Sequence, residues 1–270
     1  MKKLTRMSLC GLLAMGLLVS CGKDKRNYTE TEFGLNMEMV YVEGGTFEMG
    51  ATAEQGNDYD EYEKPVRTVT LDSYHIGKYE VTQAQWKAVM GTSLKEKRVL
   101  STYDGSIVGE GADYPMYFVS WDEAQEFCKR LSKKTGKKYV LPTEAQWEYA
   151  ARGGKKSNGY KYSGSDDIEE VAWYSGNSYD YGTHRVGTKK ANELGIYDMS
   201  GNVEEWCSDR YGTYDESDTD NPQGPVNGSY RVRRGGSWFF SALYCRVASR
   251  VITHPDYSIF DLGFRVVCLP

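Results

Sequence analysis

The chain has 270 residues, among them 29 glycines and 22 tyrosines, and its formal net charge is −5. A negative net charge argues against nucleic acid as a partner, because phosphate binding needs a basic surface. The abundance of glycine and aromatic residues favours a fold rich in turns and loops, and it disfavours a helix bundle.

The first twenty residues have the pattern of a bacterial lipoprotein signal peptide. A basic start precedes an apolar run over residues 11–19, which is shorter than the roughly 20 residues that span a bilayer. The sequence Leu-Val-Ser then precedes Cys21, as a lipoprotein signal peptidase requires. We therefore predict that residues 1–20 are removed and that Cys21 is acylated. The alternative is an ordinary cleaved signal beside an incidental cysteine.

Acylation of Cys21 would place the protein in the bacterial cell envelope. The predicted partners are then the membrane, through the lipid anchor, and another envelope protein; the outer membrane, on its periplasmic or surface side, is the expected location.

Loss of the signal takes the net charge to −8, since it removes Lys2, Lys3 and Arg6. Residues 21–36 are polar and without periodicity, which predicts a tether. Residues 37–270 are long enough for one domain with a substantial core.

Three segments begin with the chemistry of a capped helix. Thr82, Ser120 and Thr143 are each followed three residues later by Gln or Glu, so that the two side chains can satisfy the first backbone donors. Gly91 and Gly136 are predicted to end the first two helices. The sequence therefore predicts three helices in the first 155 or so residues.

The remaining elements are predicted as short strands separated by long loops. Residues 39–42 and 46–49 flank Gly44-Gly45, which predicts a β-hairpin. Further predicted strands cover 68–71, 139–141, 230–233 and 263–267, and the longest predicted loops lie near 92–114, 153–170 and 208–229. Loops of this length are uncommon unless they carry function.

Seven sequence blocks resemble those of one known family and occur in that family's order. The blocks are VEGGTFEMG (42–50), GKYEVT (77–82), VSW (119–121), LPTEAQWEYAARGG (141–154), GIYDMSGNV (195–203), RGGS (234–237) and GFR (263–265). Together they resemble the formylglycine-generating enzymes, or sulfatase-modifying factors, across about residues 37–269. The resemblance implies an α+β fold, the formylglycine-generating-enzyme variant of the C-type-lectin-like fold, with little regular secondary structure.

The resemblance also identifies the candidate catalytic position and a departure from it. Family members hold Cu(I) between two cysteines spaced C-x4-C directly after Gly-Gly-Ser, but this chain has Phe240 at the first position and keeps only Cys245. The family pattern Gly-Asn-x-Trp-Glu-Trp is also altered, because Glu204 replaces the first tryptophan. One thiolate cannot supply linear two-sulfur coordination. We therefore expect no copper cofactor and predict loss of the oxidase reaction.

Four cysteines remain after Cys21. The resemblance implies a disulfide between Cys128 and Cys268, which leaves Cys207 and Cys245. An even count in an oxidising compartment favours a second disulfide between those two. The alternative keeps Cys245 as a free, reactive thiolate, for which an electropositive and partly exposed environment is needed.

The family's calcium loop predicts calcium as the metal cofactor. The matching residues are Asp198, Gly201, Val203 and Glu205, which would contribute two side chains and two backbone carbonyls. Hard oxygen ligands of this kind suit Ca²⁺. The alternative is an Asx-turn at Asp198 with Glu205 solvated or paired with a cation. A second calcium loop of the family, near residues 177–180, is shortened here and is not assigned.

Two functions are compatible with these residues. The preferred one is a non-catalytic envelope lipoprotein that uses the fold as a binding or assembly module, with tyrosines of the long loops as a contact surface. Those tyrosines are at positions 160, 162, 174, 179, 181, 211 and 214. The alternative is a formylglycine-generating oxidoreductase that acts on a protein cysteine through Cys245.

Overall fold

Short strands and helices alternate with long ordered loops in a computed structural model that describes residues 26–101, 108–178 and 182–270. The strands are β1 (Tyr28–Glu30), β2 (Met37–Val42), β3 (Gly45–Met49), β4 (Arg67–Leu71), β5 (Tyr74–Gly77), β6 (Lys138–Val140), β7 (Glu204–Arg210), β8 (Arg231–Arg234), β9 (Arg250–Thr253), β10 (Leu262–Gly263) and β11 (Val267–Leu269). The α-helices are α1 (Gln83–Met90), α2 (Leu94–Leu100), α3 (Trp121–Thr135), α4 (Glu144–Ala151), α5 (Ile168–Val171) and α6 (Ser175–Ser178). The predicted signal peptide and Cys21 lie outside the described residues.

The strands form three sheets. The largest has the order β1-β2-β5-β11-β6, the second has the order β10-β7-β8-β9, and β3 pairs with β4 alone. Every pair is antiparallel except β10 with β7. The C-terminal strand β11 lies between β5 and β6, with Val267 opposite Ile76 and Val140. The predicted α+β class is confirmed.

The three predicted helix starts are confirmed by their caps. Thr82, Ser120 and Thr143 each accept a hydrogen bond from the backbone N–H three residues later, and the Gln or Glu at that position bonds back to the cap. Gly91 and Gly136 adopt the left-handed conformation at the ends of α1 and α3. These features are local in sequence, so the pattern alone was enough to predict them.

Two predicted features of the backbone are wrong. Residues 39–42 and 46–49 do not form a hairpin: β2 pairs with β1 and β5, whereas β3 pairs with β4. Gly44 crosses between the two sheets, and a Cβ there would lie 2.4 Å from the Leu71 carbonyl oxygen. The predicted loop near 92–114 contains α2, which begins with a capping box formed by Ser93 and Glu96.

The predicted tether is also corrected. The part of residues 21–36 that the structure describes packs against the domain: β1 extends the large sheet, and His75 Nε2 lies 3.0 Å from the Arg26 carbonyl oxygen. Leu35 is buried in the core. The folded unit therefore includes Arg26, whereas the predicted domain began at residue 37.

Buried ion pairs connect the elements around α4, all of whose residues are buried. Arg234 pairs with Glu148, and Arg250 pairs with Glu144 at 2.5 Å. Arg265 of the Gly-Phe-Arg block reaches Glu205 at 2.6 Å.

Among the described residues, no helix is long and apolar enough to cross a membrane.

Candidate functional site

Two consecutive glycines shape the candidate site. After β8, Gly235 and Gly236 adopt φ values of 98° and 66°, a region that favours glycine. A Cβ on Gly236 would lie 2.8 Å from the Cys245 sulfur, so the turn passes directly over that thiol. The Gly-Gly-Ser block therefore encloses Cys245, while Phe240 lies partly exposed on the other side of the turn.

Cys245 is fully buried beside Tyr162, Val171 and Ala172. Its sulfur lies 3.8 Å from the Ser241 carbonyl oxygen, a weak hydrogen bond in which the thiol is the donor. Desolvation, followed by the negative charge of Glu204, raises the pKa of the thiol above its ordinary value. Reactive cysteines need the opposite conditions, namely exposure and positive charge. Cys245 is a protonated core thiol.

The nearby arginine does not activate this thiol. The Arg246 guanidinium donates to the Glu63 carboxylate at 2.5 and 2.8 Å and to Gln55 at 3.2 Å. Its Nε donates to the Leu243 carbonyl oxygen. The positive charge of Arg246 is neutralised by Glu63, and the pKa of Cys245 is raised by desolvation and by Glu204.

An aromatic strip occupies the surface where the family's first thiol would lie. We define the aromatic strip as Phe239, Phe240, Tyr244 and Phe260. Ring centroids along it are 5.3 Å (260 to 239), 6.2 Å (239 to 240) and 5.0 Å (240 to 244) apart. Phe239 is 39% exposed and Tyr244 is 40% exposed. Phe240, at the position where the resemblance places the first copper cysteine, is thus part of a partly exposed aromatic surface.

Two buried acids lie beneath the Gly-Gly-Ser turn. Glu204 contacts the Arg233 guanidinium at 2.6 Å, but the orientation satisfies neither partner as a hydrogen bond. Desolvation raises the pKa of Glu204 to about 8; Arg233 opposes that shift and Asp261 adds to it. Asp261 accepts from the Ser237 hydroxyl at 2.8 Å and its pKa is raised by burial. The Ser237 hydroxyl is therefore buried and held by the carboxyl group of Asp261.

The predicted calcium residues lie in a buried region with an excess of negative charge. Asp198 and Glu80 are buried; the negative charges of Asp198 and Glu205 act on Glu80, and that of Glu205 acts on Asp198. Desolvation raises the pKa of Asp198 to about 6 and that of Glu80 well above its ordinary value. One guanidinium, that of Arg265, opposes these shifts. Three carboxylates facing one guanidinium favour an added cation.

The negative charge of this region favours calcium, but the hydrogen bonds of the four predicted ligands fit a calcium site less well. Both oxygens of Glu205 are engaged, since they accept from Arg265 at 2.6 and 2.7 Å and from the Trp147 indole at 2.8 Å. Asp198 accepts from the Gly187 N–H at 2.7 Å. Gly201 and Val203 lie on the same loop, with Gly201 at φ 81°. Among the described residues, no three or more His, Cys, Asp or Glu side chains are arranged to hold a metal. Calcium stays a prediction.

The structure corrects the cysteine pairing. Cys128, Cys207, Cys245 and Cys268 are all buried free thiols, so neither expected disulfide is formed. Cys207 and Cys245 belong to separate hydrophobic clusters, which gives a physical reason against a bond between them. Cys128 and Cys268 share one cluster, so packing does not separate them as it separates the other two, but both are free thiols in this structure.

Several other sequence candidates have structural roles. Tyr162 and Tyr214 are buried, so they do not belong to a contact surface. His184 stacks on Trp173 with ring centroids 3.7 Å apart. Positions 179 and 181 lie outside the described residues. The acidic loop after β7 borders a cleft of about 890 Å³ whose lining includes Tyr214 and Arg250.

Sequence reasoning missed Glu80 and Asp261. Both lie inside or next to family blocks, GKYEVT and GFR, but neither has a spacing that signals a site. Their importance follows from packing: Glu80 accepts from Asn202 at 2.7 Å and from the Val203 N–H at 3.1 Å. Only the folded chain brings residues 80 and 203 together.

The loop-rich α+β fold, with Cys245 beneath a Gly-Gly-Ser turn, defines a formylglycine-generating-enzyme-type domain of the C-type-lectin-like class with one thiol missing. The chain belongs to the sulfatase-modifying factor enzyme 1-like domain family, whose model matches residues 25–269.

Two relatives and two solved structures illustrate this membership. "Chaperone protein LppX" of Paenibacillus barcinonensis is 34% identical, covering 85% of this chain and 89% of its own. A formylglycine-generating enzyme of Streptomyces coelicolor is 32% identical, covering 84% and 87%. The structure of Treponema denticola variable protein 1 matches with a TM-score of 0.77, 34% identity and coverage of 92% and 100%. PvdO from Pseudomonas aeruginosa, with a TM-score of 0.74, 24% identity and coverage of 90% and 98%, shares the fold.

Proposed function

We propose that this protein is a non-catalytic binding module of the bacterial envelope, anchored by a lipid on Cys21 and contacting another envelope protein through the aromatic strip. The observation that carries the proposal is the burial of Cys245 beneath the Gly-Gly-Ser turn. A single covered thiol with a raised pKa offers neither the two-sulfur site nor the thiolate that the family reaction needs.

The aromatic strip supports a binding role. Soluble proteins keep large apolar side chains exposed mainly where something binds them. Phe239, Tyr244 and the adjoining Leu243 are 39%, 40% and 44% exposed. Aromatic side chains also supply much of the binding energy at protein interfaces. A protein surface is therefore the expected occupant of the strip.

The envelope location is supported by sequence features and by one relative. The signal-peptide pattern ends at Cys21, and the similar protein LppX is named a chaperone, a class that binds other proteins. A lipid anchor on Cys21 needs no membrane-spanning helix in the domain, because burial of an acyl chain attaches a protein to a bilayer.

The enzyme alternative is tested by a direct assay. The full-length protein is incubated with copper, oxygen and a Cys-x-Pro-x-Arg peptide, and formylglycine is measured by mass spectrometry. We expect no product above the level of a Cys245→Ala variant. Product that depends on Cys245 would establish the oxidoreductase and refute the non-catalytic role.

The binding surface is tested by placing a photo-crosslinking phenylalanine analogue at position 239 in cells. Val226, which is 89% exposed and lies outside the strip, is the matched control position. We expect a discrete adduct from position 239 that the additional substitution Leu243→Ala weakens, and none from position 226. Equal adducts from both positions, or none from position 239, would contradict the proposed surface.

A further inference from the structure

A group of lysines surrounds the place where the chain enters the domain. Lys133 and Lys134 lie in the last turn of α3, and Lys137 and Lys138 follow its cap at Gly136. All four are exposed. We define these four residues as the lysine face.

The lysine face is continuous with the first described residues of the chain. Lys137 Nζ lies 4.4 Å from the ring centroid of Tyr28 and 2.7 Å from the Glu30 carboxylate. Lys134 Nζ lies 6.0 Å from the ring of Phe33, which is 38% exposed. Cationic groups and one exposed aromatic ring therefore share a surface with β1 and the turn that follows it.

The lack of carboxylate partners for three of its lysines distinguishes this face from much of the surface. Most lysines elsewhere in the described chain pair with carboxylates, as Lys155 does with Glu43 and Lys190 with Glu170, both at 2.7 Å. Across the part of the chain that the structure describes, Lys133, Lys134 and Lys138 have no carboxylate within ion-pair distance. The helix dipole accounts for cations in the last turn of α3, but its effect fades beyond that turn and does not explain Lys138.

We propose that the lysine face binds the anionic phospholipid headgroups of the membrane that holds the anchor, with Phe33 at the headgroup level. The inference rests on the proposed acylation of Cys21. Five residue steps join Cys21 to Arg26 and span at most about 18 Å, so the lipid holds this part of the domain close to the bilayer. Each lysine near an anionic surface adds roughly a five-fold preference for it.

The arrangement also explains how an acidic protein approaches an acidic membrane. The chain as a whole is negative, so an unoriented domain would be repelled by anionic lipid. Gathering unpaired lysines on the anchored side gives attraction within a Debye length of the surface. The lysine face thus orients the domain as well as attaching it.

The test uses the full-length acylated protein in vesicles of phosphatidylcholine alone or of an equal mixture with phosphatidylglycerol. Amine acetylation of each lysine is followed by mass spectrometry, and Lys190 is the control. We expect labelling of Lys133, Lys134 and Lys138 to fall at least about three-fold in the anionic vesicles and to recover at high salt, as screening requires. Labelling of Lys190 should not change.

Two results would overturn the inference, and they differ from failure of the anchor. Equal labelling of the lysine face in both vesicles, or protection that salt does not reverse, would exclude headgroup binding. A triple variant, Lys133→Glu, Lys134→Glu and Lys138→Glu, should remain folded by circular dichroism and still float with neutral vesicles, but lose the preference for anionic ones. An unchanged preference would also exclude headgroup binding. Failure of the unaltered protein to float with neutral vesicles would refute the anchor itself.

Discussion

At the scale of single residues, Glu204 occupies the position of a family tryptophan and is fully buried. Neither of its oxygens has a well-oriented hydrogen bond, although Arg233 lies at contact distance. Burial without sufficient compensation disfavours the charged form, which is why the pKa of Glu204 rises to about 8. The folded protein therefore holds a proton here that the unfolded chain releases near pH 4.3, about the ordinary value.

This difference predicts a pH-dependent benefit from Glu204→Gln. Below about pH 4 the carboxyl is neutral in both states. As pH rises, the unfolded chain ionises first, so the wild type loses stability until the folded state also ionises near pH 8. Glutamine has the same shape and does not titrate. We expect the variant to gain, relative to wild type, on the order of a few kcal/mol between about pH 5 and pH 8.

Urea unfolding of both proteins at the two pH values measures the effect. Glu216→Gln, at an exposed position of the acidic loop, is the matched control and should keep a constant difference from wild type. The other buried acids with raised pKa values, Asp198 and Asp209, shift both proteins alike and cancel in the comparison. A difference between Glu204→Gln and wild type that did not vary with pH would contradict the assignment.

At the scale of elements, α4 connects the sheets through charge as well as apolar packing. Glu148 accepts from the Gly50 N–H at 2.8 Å and from Arg152 at 2.9 Å, and it pairs with Arg234. Arg234 in turn donates to the carbonyl oxygens of residues 247, 248 and 249. A single carboxylate thereby joins β8, α4 and the chain that leads into β9.

We expect Glu148→Ala to destabilise the protein by about 3–5 kcal/mol, because it removes the hydrogen-bonded partner of the buried Arg234. The remaining carboxylate, Glu144, lies 3.8 Å from Arg234 and is already paired with Arg250. Chemical denaturation at neutral pH measures the loss. Glu126→Ala, on the exposed side of α3, removes only surface ion pairs to Lys129 and Arg130 and should cost less than about 1 kcal/mol. Similar losses for the two variants would show that the buried network contributes little.

The elements also show which information the sequence contains. Helix caps were predictable because the cap and its partner lie three residues apart, and the cap of α2 at Ser93 and Glu96 had the same pattern inside a predicted loop. Strand partners were not predictable. Gly44-Gly45 has the composition of a hairpin turn, yet β2 pairs with β1 and β5, whereas β3 pairs with β4 in a different sheet.

The candidate site likewise has features that the sequence predicts and features that it does not. The loss of one thiol at Phe240 and the change at Glu204 are visible in the sequence, since they are departures within ordered family blocks. The burial of Cys245, the engagement of Arg246 by Glu63 and the approach of Glu80 to the calcium loop depend on contacts between distant segments. Cysteine pairing failed for this reason, because counting thiols says nothing about which cluster each one enters.

At the scale of the whole molecule, the fold is preserved although the copper pair is incomplete. A scaffold of long loops held by buried arginine pairs keeps its fold while residues of the candidate site differ from the family pattern. Its interior nevertheless contains an unbalanced charge. Glu80, Asp198 and Glu205 are buried around the single guanidinium of Arg265, and burial raises the pKa values of the first two.

The predicted calcium binding would depend on the whole fold, because the charged residues come from distant parts of the chain. They lie before α1, in and just before β7, and in the last block before β11. A cation that binds only the folded state stabilises it by about 2.7 kcal/mol at one hundred times its Kd. We expect Ca²⁺ to raise the unfolding temperature by several degrees and a chelator to reverse the rise. Asp198→Ala should abolish the calcium response, whereas Glu216→Ala should retain it. Differential scanning calorimetry measures the response, with Mg²⁺ as the ionic control. An unchanged unfolding temperature in Ca²⁺, or an equal response in Asp198→Ala, would contradict calcium binding. Protonation of Glu80 and Asp198 would then be what neutralises the buried charge.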